Sequence, residues 1–128
     1  MENRIVLLDT SILIDLFRRK VKENSAFYQL ANDYQSFAVS TITRFEIFVG
    51  QRDNQNEFWT NFYRNVRILD FNDNCAFAAS NIVKQLKSKS QMIEIADILI
   101  GGTAIANNLP LATLNKNHFN RIDNLQII

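Results

Sequence analysis

Short apolar runs alternate along this chain with stretches in which apolar residues recur at helical spacing. Arg4 to Leu8 is a nearly continuous apolar run of strand length, the pattern of a strand covered on both faces. It ends in Asp9-Thr10-Ser11, where a hydroxyl can cap the helix that follows. That helix carries Ile12, Leu13, Leu16 and Phe17 on one side and closes in Arg18-Arg19-Lys20. A second amphipathic helix is expected over Lys22 to Asp33, and a second strand over Ser36 to Ser40. Thr41 then opens a helix that runs through Phe45, Phe48 and Val49 and stops near Gly50.

The alternation continues. Asn54 to Asn65 reads as an aromatic-rich helix with Phe58, Trp59, Phe62 and Tyr63, and Val66 to Leu69 as a third strand. Asp73 to Lys87 is a long amphipathic helix, expected to turn Phe77, Ile82, Val83 and Leu86 inward. A further helix covers about Ala96 to Asn107 and is punctuated by Asn108 and Pro110. Leu111 to Thr113 is a fourth strand, and Leu125 to Ile128 is a candidate fifth. Strands separated by helices imply an α/β fold with a central parallel sheet of four to five strands flanked by helices.

Composition narrows the functions open to such a fold. At 128 residues, 47% of them apolar, the chain is expected to be one domain with a proper core. The formal net charge of +1 supplies no global field for nucleic acid. Polyanion binding must therefore come from local charge or from bound cations. Cys75 is the only cysteine, which excludes an internal disulfide and a cysteine-based zinc site; its helical context reads as a small buried thiol. His118 is the only histidine, so one chain cannot hold a catalytic histidine pair, and no Gly-x-Ser-x-Gly elbow is present. The N-terminal apolar run is too short for a signal sequence, and no stretch approaches the roughly 20 apolar residues of a membrane span. A cytoplasmic protein is expected.

Ligands of a parallel α/β sheet gather beyond the carboxyl ends of its strands, and three acids invite attention there. Asp9 ends the first strand, where it either caps the next helix or serves chemistry. Asp97, in Ile95-Ala96-Asp97-Ile98-Leu99-Ile100, opens an apolar helix, and the helix dipole alone can explain an acid at that place. Glu46 lies mid-helix between Phe45 and Ile47 and faces either the strand ends or water. Three carboxylates in one cleft repel and would not all stay ionised. A divalent cation resolves the conflict, and an all-oxygen donor set suits Mg²⁺ or Mn²⁺ rather than zinc. Among the remaining acids, Asp15 is expected on the outer face of its helix, and Glu94 either caps the Asp97 helix or lies at the cleft edge.

Four stretches carry a resemblance to a known family. They are Ile5 to Ser11, Ser40 to Glu46, Ile95 to Ile100 with its following helix, and Leu111 to Asn115 through Phe119. In order, spacing and total length they resemble the PIN domains, most closely the VapC-type toxins of bacterial toxin–antitoxin pairs. The resemblance implies a PIN-like three-layer sandwich, with Asp9, Glu46 and Asp97 as metal ligands. It also implies that Thr10 or Ser11 shapes the first turn and that Thr113 supports the last strand end. The activity it implies is metal-dependent endoribonuclease cleavage by an activated water, with a structured RNA such as tRNA as substrate and a cognate antitoxin as inhibitor. Many PIN domains carry a further aspartate two residues beyond the threonine. Asn115 stands there, able to accept a hydrogen bond but adding no charge.

Other features leave alternatives open. The aromatic set Phe58, Trp59, Phe62 and Tyr63 is too broad for one narrow helix face, so it serves either the core or an interface with a second copy or an antitoxin. Arg18, Arg19, Lys20 and Lys22 either follow RNA phosphates or form a solvated helix end. An aspartyl phosphatase usually needs an acid two positions after the first, where Ser11 stands. A PIN-like module that binds RNA or protein without cutting is the reading from a different class. Gly101-Gly102 is expected to let its helix pack closely on the sheet.

Overall fold

The computed structural model describes residues 2–128; Met1, where the N-terminal reading begins, lies outside them. The strands are β1 (Glu2–Leu8), β2 (Tyr34–Ser40), β3 (Arg67–Leu69) and β4 (Leu111–Ala112). They form one parallel sheet in the order β3-β2-β1-β4. Between β1 and β2 lie α1 (Thr10–Arg18) and α2 (Ala26–Ala31). Between β2 and β3 lie α3 (Thr41–Gly50) and α4 (Asn56–Tyr63), and between β3 and β4 lie α5 (Asp73–Ser88) and α6 (Ile95–Ala106). The short α7 (Lys116–Phe119) follows β4.

Successive strand residues face opposite sides of a sheet, so runs that are apolar at every position build two cores. Val6, Leu8, Phe37, Val39 and Ala112 pack with Ile12, Leu13, Ile47 and Trp59 of α1, α3 and α4. Leu7, Ala38 and Leu111 pack on the other side with Ile82 and Leu86 of α5, Ile98 of α6 and Phe119 of α7. Val6, Leu7 and Leu8 are fully buried, each contributing roughly 1.5–3 kcal/mol of hydrophobic stabilisation. The three-layer arrangement follows. Register then places the site: Leu8 pairs with Val39 on one side and Ala112 on the other, so Asp9, Ser40 and Thr113 leave the sheet side by side.

Several expectations are corrected. Lys22–Asp33 is not one helix. A 3-10 turn, Lys22–Asn24, precedes Ser25, whose hydroxyl accepts from Tyr28 N and starts α2 afresh. The cause is Lys22, whose Nζ donates to the carbonyls of Leu16, Phe17 and Arg19 at 2.9, 2.7 and 2.7 Å. Its ammonium closes α1 instead of starting a new helix. Asp15 does not face outward: its side chain is 14% exposed and accepts from Ala26 N at 2.9 Å, fastening α2 to α1. Phe77 is 70% exposed, because the buried stripe of α5 runs through Cys75, Ala79, Ile82 and Leu86.

The aromatics of α4 belong to the core. Trp59 is buried, and Phe58, Phe62 and Tyr63 pack against the same cluster, stacked and edge-on to one another and to Phe17 and Phe27. Among the described residues the exposed aromatics are instead Tyr28, Phe45, Phe48 and Phe77. Gly102 admits α5, not the sheet: a Cβ there would lie 2.9 Å from Ala79 Cβ and 3.0 Å from its Cα and N. The candidate fifth strand is reduced to a single parallel bridge, Leu111 to Ile127, with Leu111 N donating to Gln126 O and Ile128 N to Leu111 O.

Candidate active site

β1 delivers Asp9 to the carboxyl edge of the sheet, where it is 2% exposed. Its N–H donates to Ala112 O at 2.9 Å. Its Oδ2 accepts from Ser11 Oγ at 2.7 Å, Thr113 Oγ1 at 2.8 Å and Ser11 N at 3.4 Å. Asp9 is itself the N-cap of α1. The hydroxyls of Thr10 and Ser11, expected to cap the helix, serve carboxylates instead. All three bonds land on Oδ2, so Oδ1 keeps its lone pairs for another partner. Leu114 N donates to Ser11 Oγ at 3.0 Å and Asn115 N to Thr113 Oγ1 at 2.9 Å, which ties the segment after β4 to the same carboxylate.

Glu46 arrives from α3, which starts where Ser40 ends β2 and accepts from Thr43 N at 3.0 Å. Thr10 Oγ1 lies 2.6 Å from Glu46 Oε1 and 3.0 Å from Thr43 Oγ1. A hydroxyl carries one proton. The short contact to a carboxylate claims it, and the buried Thr43 hydroxyl then supplies the second bond as donor. Ser40 Oγ, 3.4 Å from Thr43 Oγ1, extends this line of hydroxyls into the core.

Asp97 sits in the first turn of α6 with its side chain 16% exposed. Burial pushes its pKa up; the negative charge of Asp9 adds to the rise, His118 opposes it, and Glu46 adds a smaller increment. The acids delivered by β1 and α3 therefore both lie near enough to Asp97 of α6 to act on it. His118 Nδ1 lies 3.5 Å from Asp97 Oδ2. Glu94 occupies the N-cap position of α6 without a side-chain capping bond.

Ser11 and Thr113 bond Asp9, and Thr10 bonds Glu46. Asn115 is exposed, and its side chain caps nothing; its contribution is its backbone N–H. Sequence reasoning missed Thr43, although it lies three residues before Glu46 and so on the same helix face. It also missed the placement of His118, for which the sequence holds no local signal.

Among the described residues no three His, Cys, Asp or Glu side chains are gathered closely enough to enclose a metal ion by themselves. The donor set nonetheless fits a hard divalent cation. Three carboxylates share one region, one of them held above its usual pKa by burial and by the charge of the others, and only the half-exposed His118 stands against Asp97. Mg²⁺ typically takes one or two carboxylates and leaves the rest of its shell to water and phosphate. No helix among the described residues is long and apolar enough to cross a membrane.

Comparison with known proteins identifies the family. Residues 6–125 match the PIN domain family. The chain is 34% identical to Ribonuclease VapC1 of Methanocaldococcus jannaschii over 122 residues, covering 94% of this chain and 83% of that protein. It is 28% identical to Ribonuclease VapC19 of Mycobacterium tuberculosis, covering 94% and 96%. Its fold superposes with a TM-score of 0.82 and 29% identity on a chain of VapBC2 from Rickettsia felis, solved bound to a DNA fragment from their promoter, over 97% of each chain. With a continuous match from the first interior strand almost to the last residue, the chain belongs to the PIN-domain family and, within it, to the VapC ribonucleases.

Proposed function

We propose that this protein is a metal-dependent endoribonuclease, the toxin of a toxin–antitoxin pair, acting as a single PIN-like unit in the cytoplasm. The observation that carries the reading is the gathering of Asp9, Glu46 and Asp97 at the carboxyl edge of the sheet, near enough that the first two add to the raised pKa of the third. These three residues would hold Mg²⁺ or Mn²⁺. When bound, such an ion lowers the pKa of water and stabilises charge on a phosphodiester. The chain's own residues prepare the site. Ser11 and Thr113 fix the Asp9 carboxylate through Oδ2 and leave Oδ1 available. Thr10 holds Glu46 in one orientation. Burial of Asp9 and Asp97 keeps bulk water from screening the cluster.

The relatives are named as ribonucleases, so RNA is the substrate class of this reading, with a structured RNA such as tRNA as its expected form. A cognate antitoxin is the partner suggested by the chain's likeness to VapBC2. A homodimer is part of the same reading, with the exposed Phe45, Phe48 and Val49 of α3 as the apolar face that a second copy would cover. A PIN-like module that binds RNA or protein without cutting is the alternative, and Asn115 in the place of a further acid is what favours it.

The test is cleavage of a total-RNA and tRNA mixture by purified protein with Mg²⁺, with Mn²⁺ and with EDTA, beside Asp97→Asn. Discrete, metal-dependent products absent from the variant support the nuclease. A folded, antitoxin-free protein that binds Mn²⁺ calorimetrically at no site and cuts nothing would favour the binding module.

A further inference from the structure

Beside Glu46, a cavity of about 300 Å³ opens between α1, α3 and α4. Ile14, Phe17, Ile47 and Trp59 line it with apolar surface, and Arg18 and Arg52 line it with positive charge. Trp59 and Phe17 are stacked, 5.6 Å between centroids and 24° between planes, so this lining is aromatic and rigid. Arg18 and Arg52 are exposed, and among the described residues neither is in an ion pair. Their neighbours in the basic run differ. Arg19 pairs with Asp15 at 3.1 Å, and Lys22 is spent on three carbonyls at the end of α1.

Two unpaired guanidiniums around an apolar recess, next to an acid of the candidate cutting cluster, match the chemistry of a nucleotide. Apolar and aromatic surface takes the flat base, and guanidinium takes phosphate. With a net charge of only +1, the chain has no general field to draw RNA, so attraction must be local. The volume lies at the small end of the ~300–1,000 Å³ span of ligand sites, suited to one nucleotide rather than to a docked helix. We propose that this cavity is a nucleotide subsite, in which one unpaired nucleotide of the RNA beside the cut bond rests on the apolar lining with its phosphate held by Arg18 and Arg52. This rests on the nuclease reading above and adds to it the strand's path across the protein.

The experiment measures binding of a short, labelled single-stranded RNA across a salt series in an Asp97→Asn background. Into it are placed Arg18→Gln, Arg52→Gln, the pair together, and Gly50→Leu. Gly50 also lines the cavity, and a Cβ there meets no atom within 4 Å, so a side chain can start there in open space and leucine is chosen to narrow the recess. The arginine pair is expected to weaken binding by about tenfold or more and to flatten log Kd against log salt by about 0.7, the value for one phosphate contact on a single strand. Gly50→Leu is expected to weaken binding with the slope kept. In the cleaving protein the same changes raise KM more than they lower kcat and leave Mn²⁺ titration as it was.

Unchanged RNA affinity and slope in the double-arginine variant overturn the subsite, even while Asp97→Asn still abolishes cleavage. If the pair instead frees the protein from a co-expressed antitoxin with RNA affinity intact, the cavity belongs to a protein partner and the proposal falls. Full cleavage by Asp97→Asn alone, read separately, overturns the underlying nuclease site instead.

Discussion

Thr10 Oγ1 sits 2.6 Å from Glu46 Oε1, joining the first residue of α1 to the middle of α3 across 36 positions of sequence. The bond is short because a hydroxyl donates to an ionised acceptor, and Thr10, only 8% exposed, has little water to compete for its proton. Thr10→Val keeps the shape and removes the donor. Mn²⁺ affinity and cleavage rate should fall by about 10–100-fold, the usual effect of losing a partner that orients a metal ligand, with the circular dichroism spectrum of the fold retained. Thr10→Ser restores the hydroxyl and should recover most of both. Equal losses in the two variants would show that the hydroxyl is not what matters.

Asp97 carries a folding penalty at neutral pH. Its folded pKa is raised by burial and by Asp9, so the folded state binds the proton more tightly than the unfolded chain does. The penalty is full above the folded pKa and is relieved as pH falls through it towards the unfolded value. Without divalent ions, Asp97→Asn should melt above wild type at pH 7, with the gap closing as the solution is acidified. Addition of Mn²⁺ should reverse the order, since ligand binding stabilises only the protein that holds the ion. Thermal melts at several pH values, with and without Mn²⁺, measure both effects.

Asp15 behaves in the opposite sense. Its pKa is lowered, first by the hydrogen bond from Ala26 N, against the opposing cost of burial, and then by Arg19. A depressed carboxylate contributes stability that is present above the unfolded pKa and lost as pH falls through the folded one. Asp15→Asn should cost about 1 kcal/mol at pH 7, typical of a hydrogen bond to a backbone donor. The cost should shrink as pH falls through the folded pKa and the carboxyl becomes protonated in both the folded and the unfolded state. The half-exposed Arg19 partner adds little, so Arg19→Gln should leave the melting temperature nearly unchanged.

Gly102→Ala sets helix propensity against packing. Alanine gains about 1 kcal/mol in a helix interior, but its Cβ would lie within 3.0 Å of the backbone of Ala79, and backbone cannot step aside as a side-chain tip can. Overpacking of this kind costs about 1–3 kcal/mol. A net fall in melting temperature is expected, against no fall for Gly50→Ala, whose Cβ meets nothing within 4 Å. A stabilised Gly102→Ala would mean that α5 and α6 separate easily.

The sequence by itself determined the layers of this protein and pointed to the acids of its candidate site. Runs such as Val6-Leu7-Leu8, apolar at every position, must be covered on both faces, and strands alternating with helices leave a parallel sheet as the economical arrangement. Its carboxyl edge then points to Asp9, while the four family stretches single out Glu46 and Asp97. Tertiary structure decided the rest, because the deciding contacts join residues far apart in sequence. Only packing shows that Lys22 closes α1 and so splits the expected helix, that the α4 aromatics face inward while Phe45, Phe48 and Phe77 do not, and that Asp15 is tied to Ala26. The hydroxyls assigned to Asp9 and Glu46, the approach of His118 to Asp97, and the pairing of Arg18 with Arg52 at one cavity are likewise matters of proximity in three dimensions. Periodicity reports which way a residue faces along its own element; it carries no record of what another element brings to meet it.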